Sequence, residues 1–329
     1  MSAAGPPLSN SPTKITLAGL GAMGGMIAAL LARGGAAVSG LTRGATLEAI
    51  RSRGLVLDFK GERHETKIVV DDDPAALGVQ DAVIIAVKEP ALAGLAPSLA
   101  PLIGPETVIV TAMNGLSWWF FHGHGDRRIA CLDPQGAIEA ALPARQTVGA
   151  VLHLWATALG PGHINAGPGD RVILGSPGVL DYSALAAAFE AGGFRVQCSD
   201  DIRAEVWSKL LGNLSGNPIS AVTGATLDRI LSPEGTLDVA RALMAETTAV
   251  GRAIGIEPLI SLDARIELGR SLGAFKTSML QDFENGKPPE IDALLTCVSE
   301  IGAAKGVPTP LIDAMRALVM LRAETAGLF

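Results

Sequence analysis

Lys209, Asn213 and Asn217 recur at intervals of four within Trp207-Ser208-Lys209-Leu210-Leu211-Gly212-Asn213-Leu214-Ser215-Gly216-Asn217-Pro218. At about 100° per residue, each step of four advances by roughly 40°, so a helix here lines up all three while Leu210, Leu211 and Leu214 face elsewhere. Asparagine is a poor helix former because its amide competes for backbone hydrogen bonds, so two of them on a lysine's stripe call for a reason. A polar face lining a cleft is one reason. A solvent-facing stripe is the other, although such stripes usually carry Glu, Lys and Arg.

A second cluster follows at Lys276-Thr277-Ser278-Met279-Leu280-Gln281-Asp282 and Gly286-Lys287-Pro288-Pro289-Glu290-Ile291-Asp292. Glu290 falls in the first turn of a helix expected to begin at Pro288 or Pro289, where the dipole favours a carboxylate. Taken singly, it reads as a capping residue.

The third stretch is Gly19-Leu20-Gly21-Ala22-Met23-Gly24, a GxGxxG that follows an apolar run and opens a helical one. That context needs a tight turn at Gly19, backbone approach to a pyrophosphate at Gly21, and close packing of helix on strand at Gly24. Strand, helix and second strand fall where a dinucleotide site requires them. The second strand ends Ser39-Gly40-Leu41-Thr42-Arg43, with no acid for a ribose 2'-hydroxyl. The guanidinium of Arg43 offers a planar fork for a 2'-phosphate, which favours NADP over NAD; a solvated surface arginine is the alternative. Val87-Lys88 and Met113-Asn114-Gly115 end two further strands and point at the same cleft. Asn114 suits a ribose or substrate polar group, and Gly115 lets the backbone come close; a plain Asn-Gly turn explains both equally well.

The elements that must position these residues alternate in the first half. Strands are expected at Ile15 to Ala18, Ala37 to Leu41, Ala82 to Val87, Val108 to Ala112, Ala150 to Ala156, Arg171 to Leu174 and Phe194 to Cys198. Helices fall at Ala22 to Arg33, Ala45 to Arg53 and Ala91 to Leu99, and Leu55 to Val70 reads as a hairpin around Gly61. Beyond Asp200 the β signals vanish, and Val239 to Ile254, Asp263 to Asn285, Pro289 to Lys305 and Pro310 to Ala326 read as helices. The expected fold is therefore α/β, a Rossmann-type doubly wound domain over residues 14–199 followed by an all-helical domain over 200–329. Asp200 is the expected N-cap of the first helix of the second domain, and residues 1–13, with Pro6, Pro7 and Pro12, read as a disordered tail.

At 329 residues, with 48% hydrophobic and 18% charged residues, the chain is long enough for two cores and too apolar to be disordered. Its formal net charge of −7, without a basic block, argues against nucleic acid and anionic membranes and for small-molecule ligands. Cys131, Cys198 and Cys297 show neither disulfide-framework nor zinc-ligand spacing, so no metal is expected, and the absence of a signal-peptide pattern points to the cytoplasm. The apolar C-terminal helices suggest a homodimer. His122, His124, His153 and His163 have no motif role.

In combination, these motifs resemble the ketopantoate reductases (2-dehydropantoate 2-reductases). The resemblance runs from Ile15 to about Leu321 and rests on Gly19 to Gly24, Asn114-Gly115, Glu205-Val206-Trp207-Ser208-Lys209-Leu210 with Asn213 and Asn217, Ser278 to Asp282, and Glu290-Ile291-Asp292. It implies an NADPH-binding domain joined to a helical domain, with reduction of a 2-oxo acid between them on the route to pantothenate and coenzyme A. Lys209 would be the general acid, and Glu290 would bind substrate and support the lysine. Asn213, Asn217 and Ser278 would hold substrate polar groups, and Asn114 and Lys88 would lie beside the nicotinamide end. The family often has His where Met113 stands, and Trp118-Trp119-Phe120-Phe121 is unusually aromatic. Such a run could reshape the pocket for another branched 2-oxo acid, and a non-catalytic NADP-binding regulator is the remaining alternative.

Overall fold

The computed structural model describes residues 13–125, 127–233 and 235–329. The expected tail lies outside these residues except for Thr13, whose carbonyl accepts from the Ala37 amide at 3.0 Å and so already pairs within the large sheet. The strands in chain order are β1 (Lys14–Ala18), β2 (Ala37–Leu41), β3 (Leu55–Phe59), β4 (Glu62–Thr66), β5 (Val69–Asp71), β6 (Ala82–Ile85), β7 (Val108–Thr111), β8 (Thr147–His153), β9 (Ala156–Gly160), β10 (His163–Ala166), β11 (Arg171–Gly175) and β12 (Arg195–Cys198).

Eight of them form one sheet in the order β12-β11-β8-β7-β6-β1-β2-β5. From β5 to β8 all neighbours are parallel, while β11 runs against β8. Every residue of β6 and β7 is buried, as expected of central parallel strands covered on both faces. The chain winds outward from β1 through β2 to β5, then returns to β6 and winds the other way. The reversal between β1 and β6 opens a crevice at their carboxyl ends, where such sheets bind ligands.

The expected hairpin is present as β3 and β4, but the sequence did not announce its partner. The strand expected at Ala150 to Ala156 breaks after His153, and its continuation joins a second sheet of order β4-β3-β10-β9. This small sheet covers the Ala22–Arg33 helix: a side chain added at Gly25 would meet Ile164 Cδ1 at 2.5 Å.

The second half is helical. Its first and longest helix, Ile202–Thr223, is capped by Asp201 rather than Asp200, with the Asp201 carboxylate accepting from the Ala204 amide at 3.1 Å. Trp207, Leu210 and Leu214 turn into a core shared with the Leu237–Ala253 and Pro310–Thr325 helices. The helix expected over Asp263 to Asn285 is two helices, Leu262–Ser271 and Ser278–Glu284. Its apolar spacing continues through the gap, but Gly273 adopts a φ of +63° and Thr277 starts a new helix by accepting from the Leu280 amide. No helix among the described residues is long and apolar enough to cross a membrane.

Candidate active site

At the end of β1 each glycine of the loop answers a different spatial demand. Gly19 has a φ of +101°, and a Cβ there would stand 2.7 Å from Val87 Cγ1; at Gly24 it would stand 2.0 Å from the Gly19 carbonyl oxygen. At Gly21 it would meet nothing within 4 Å. The first two glycines are needed for the fold, while Gly21 keeps a space open. No side chain caps the helix it precedes, so the first-turn amides of Ala22, Met23 and Gly24 remain available to an anion. Leu20 is buried against the Gly40 position of β2 and steadies the turn. Arg43 is exposed just past β2, at the N-cap of the Gly44–Arg53 helix. The open space at Gly21 and the uncapped amides fit the pyrophosphate of a dinucleotide.

Beyond β6, Lys88 precedes the Glu89–Leu95 helix and reaches into the helical half. Its Nζ donates to Asp282 Oδ2 at 2.9 Å and to Glu290 Oε2 at 3.1 Å. Burial pulls the ammonium towards neutrality, but the Glu290 and Asp282 carboxylates outweigh it and its pKa is raised. Glu290 is 3% exposed and lies before its own helix rather than in its first turn. It caps a different helix, with Oε1 accepting from the Glu89 amide at 3.4 Å. Glu89 itself is pushed up to about 8 by burial and by the charges of Asp292 and Glu290. Sequence reasoning missed both Glu89 and Asp282 as members of this cluster; the only available signal was the acidic residue directly after Lys88.

Lys209 projects from the long helix to the end of β8, where its Nζ donates to the Leu152 carbonyl at 3.0 Å. Burial lowers its pKa to about 8, and the charge of Glu290 acts in the opposite direction. The direct partner of Glu290 is therefore Lys88, and Lys209 feels Glu290 only through space. Asn217, buried at 5% exposure, donates from Nδ2 to Ser278 Oγ at 3.4 Å, which joins the long helix to the first residue of the Ser278–Glu284 helix. Asn213 and Asn114 are half-buried, and their side chains bond no described residue.

The close approach permitted by Gly115 is to protein. At φ +78°, its Cβ would lie 2.2 Å from the Ala293 carbonyl oxygen, and the Leu116 amide donates to that oxygen at 2.9 Å. Residues Asp292–Thr296 form a π-helical turn, whose altered hydrogen bonding leaves a carbonyl available to a partner. Asn114 is thus tied to the segment that carries Glu290. The aromatic run is core rather than pocket lining. Trp118 and Trp119 pack into one face of the large sheet, with indole N–H groups on the Leu142 carbonyl and Thr111 Oγ1. Phe120 and Phe121 enter the helical core, where Phe120 lies 5.8 Å from Trp207.

The family described as ketopantoate reductase PanE/ApbA matches residues 15–178, and its C-terminal part matches residues 201–323. A 2-dehydropantoate 2-reductase of Mesorhizobium japonicum is 41% identical, covering 96% of this chain and 99% of its own. The crystal structure of a provisionally assigned ketopantoate reductase from Ralstonia solanacearum MolK2 is 46% identical, with a TM-score of 0.92 over 97% of this chain and 100% of its own. That of 2-dehydropantoate 2-reductase from Geobacter metallireducens GS-15 is 27% identical, with a TM-score of 0.82 over 94% of this chain and 99% of its own.

Proposed function

Since the chain belongs to the ketopantoate reductase family of oxidoreductases, we propose that it reduces 2-dehydropantoate to pantoate with NADPH, in the biosynthesis of pantothenate and coenzyme A. The observation that carries this reading is Lys209, whose ammonium donates to the Leu152 carbonyl at the end of β8, is lowered by burial to about 8, and lies within the influence of Glu290. NADPH, when bound, supplies the hydride for the C2 ketone. Gly19 to Gly24 hold its pyrophosphate, Arg43 its 2'-phosphate, and Lys88 and Asn114 flank its nicotinamide end.

As charge gathers on the ketone oxygen, Lys209 stabilises it and delivers its proton there, which a pKa near the working pH favours. Asn213, Asn217 and Ser278 hold the substrate's polar groups. Glu290 binds the substrate, keeps Lys88 in place and favours the charged form of Lys209. With a domain boundary near Ser199, the two groups of residues would line opposite walls. Leu318 and Leu321 on the last helix are 48% and 57% exposed, which suits a homodimer, and unpaired cysteines suit the cytoplasm.

NADPH oxidation across a panel of branched 2-oxo acids tests the reading. The highest kcat/KM is expected for 2-dehydropantoate. A higher value for another acid replaces the substrate, and binding of NADPH without oxidation on any acid makes the chain a regulator.

A further inference from the structure

Thr248, on the Leu237–Ala253 helix, carries a hydroxyl that the fold leaves unused. The residue is 8% exposed, and its buried Oγ1 bonds no described residue. Its neighbour Thr247 takes the usual course for a helical threonine and donates to the Leu243 carbonyl at 2.8 Å. A buried polar group without a hydrogen bond is destabilising, so the hydroxyl of Thr248 calls for a reason.

That hydroxyl belongs to the wall of a cavity of about 400 Å³ between this helix and residues 257–262. Ala245 and Ala249 form its floor beside Thr248, and Pro258 and Ile260 close it from the other side. Both sides are held in place by the fold. A Cβ at Gly251 would stand 2.5 Å from Trp207 Nε1, so the helix lies tight on its neighbour. Gly255, at a φ of +80°, turns the chain back, and the Ile256 amide donates to the Gly251 carbonyl at 2.9 Å. Ser261 then caps the next helix by accepting from the Ala264 amide at 3.1 Å. A preformed, mostly apolar hollow with a few placed polar groups is the usual form of a small-molecule site.

At the rim stands Arg252, whose Nε donates to Glu257 Oε2 at 3.0 Å. Glu257 occupies that edge of the guanidinium, while Nη1 and Nη2 bond no described residue. Thr248 and Arg252 are four residues apart on one helical face, a rise of roughly 6 Å. A ligand that reaches both has an oxygen at one end, an anion at the other and an aliphatic body for Ala245, Ala249 and Ile260.

We propose that this cavity binds a short aliphatic hydroxy acid, with its hydroxyl on Thr248 Oγ1 and its carboxylate on the open Nη edge of Arg252. The site is separate from the Gly19–Gly24 loop and from the Lys209 stripe, and it does not depend on the reductase reading.

Calorimetry on the whole chain with 5-hydroxypentanoate as the probe tests it. The wild type should bind saturably, and Thr248→Val and Arg252→Gln should each weaken binding by about tenfold or more. Pentanoate, which lacks the hydroxyl, should bind wild type and Thr248→Val equally. Pentane-1,5-diol, which lacks the carboxylate, should be insensitive to Arg252→Gln. Without ligand, Thr248→Val should melt no lower than the wild type, because a methyl replaces a hydroxyl that bonds nothing. Absence of saturable binding overturns the site, and so does binding that both variants leave unchanged, which places the probe elsewhere. A lower melting temperature for Thr248→Val shows the hydroxyl to be paired and removes the premise.

Discussion

In the proposed active site, the Gly19–Gly24 loop and the Ile202–Thr223 helix would prepare one cleft by opposite means. The loop works through missing side chains. Gly21 leaves an open space, and uncapped amides do the rest, so its specificity is a matter of backbone shape. The helix works through side chains whose properties depend on distant neighbours. Lys209 acquires its lowered pKa from burial, against the opposing charge of Glu290, and Asn217 bonds Ser278 across 61 positions. One wall can be specified within a few residues, whereas the other exists only after the whole chain has folded.

The sharpest way to break this comparison is to remove the side chain on which the second wall depends. Lys209→Ala is expected to lower kcat by roughly 10² to 10⁴, with NADPH affinity unchanged, because its proton matters in the transition state. In the unaltered enzyme, kcat/KM for reduction should be flat below pH 8 and fall by about tenfold per unit above it, as the ammonium with a pKa of about 8 is lost. A variant that keeps its kcat moves the general acid elsewhere.

The same contrast explains what could be read in advance. Ala22–Arg33 and Ala37–Leu41 have the bounds expected from the sequence, because glycine punctuation and apolar period act locally. Lys209, Asn213 and Asn217 were legible as a stripe, since helical spacing is also local. The pairing of Lys88 with Glu290 spans 202 positions and leaves no periodic trace. Glu290 looked like the cap of its own helix and turned out to cap Glu89–Leu95, because the same carboxylate chemistry serves any nearby amide. The break at Gly273 escaped notice because apolar spacing carries on across it, and the break is what places Ser278 at a helix start near Asn217.

Arg43→Ala tests the first wall on its one charged member. Charge-assisted contacts to phosphate contribute roughly 1.5 to 3 kcal/mol, so the preference for NADPH over NADH should drop by about ten- to a hundredfold. An unchanged ratio of the two affinities removes Arg43 from the 2'-phosphate.

Glu290→Gln acts where the walls meet. The amide can still accept from the Glu89 N–H, but Lys88 loses a charge and Lys209 loses the carboxylate that favours its protonated form. kcat/KM should fall by about tenfold, and its descending limb should move to lower pH, since removing an anion lowers a nearby ammonium pKa. A limb that stays put, or a loss confined to thermal stability, leaves Glu290 as a cap alone.

The smallest effect is expected at the junction of the two cores, where Trp118 and Trp119 anchor in the sheet and Phe120 and Phe121 anchor among the helices. If the run is purely a packed joint, Trp118→Phe should cost stability and nothing else. The phenyl ring fills most of the space, but the Leu142 carbonyl loses its 2.9 Å indole donor in a buried setting, a penalty of about 1 to 3 kcal/mol. Melting should fall by about 2 to 4 °C for each kcal/mol lost, as for domains of this size. The order of kcat/KM values across branched 2-oxo acids should not move, because the ring that changes touches the sheet core and not the Lys209 face. A changed order of substrates at unaltered melting temperature would place the aromatic run in the pocket, and the cleft would then have a third wall.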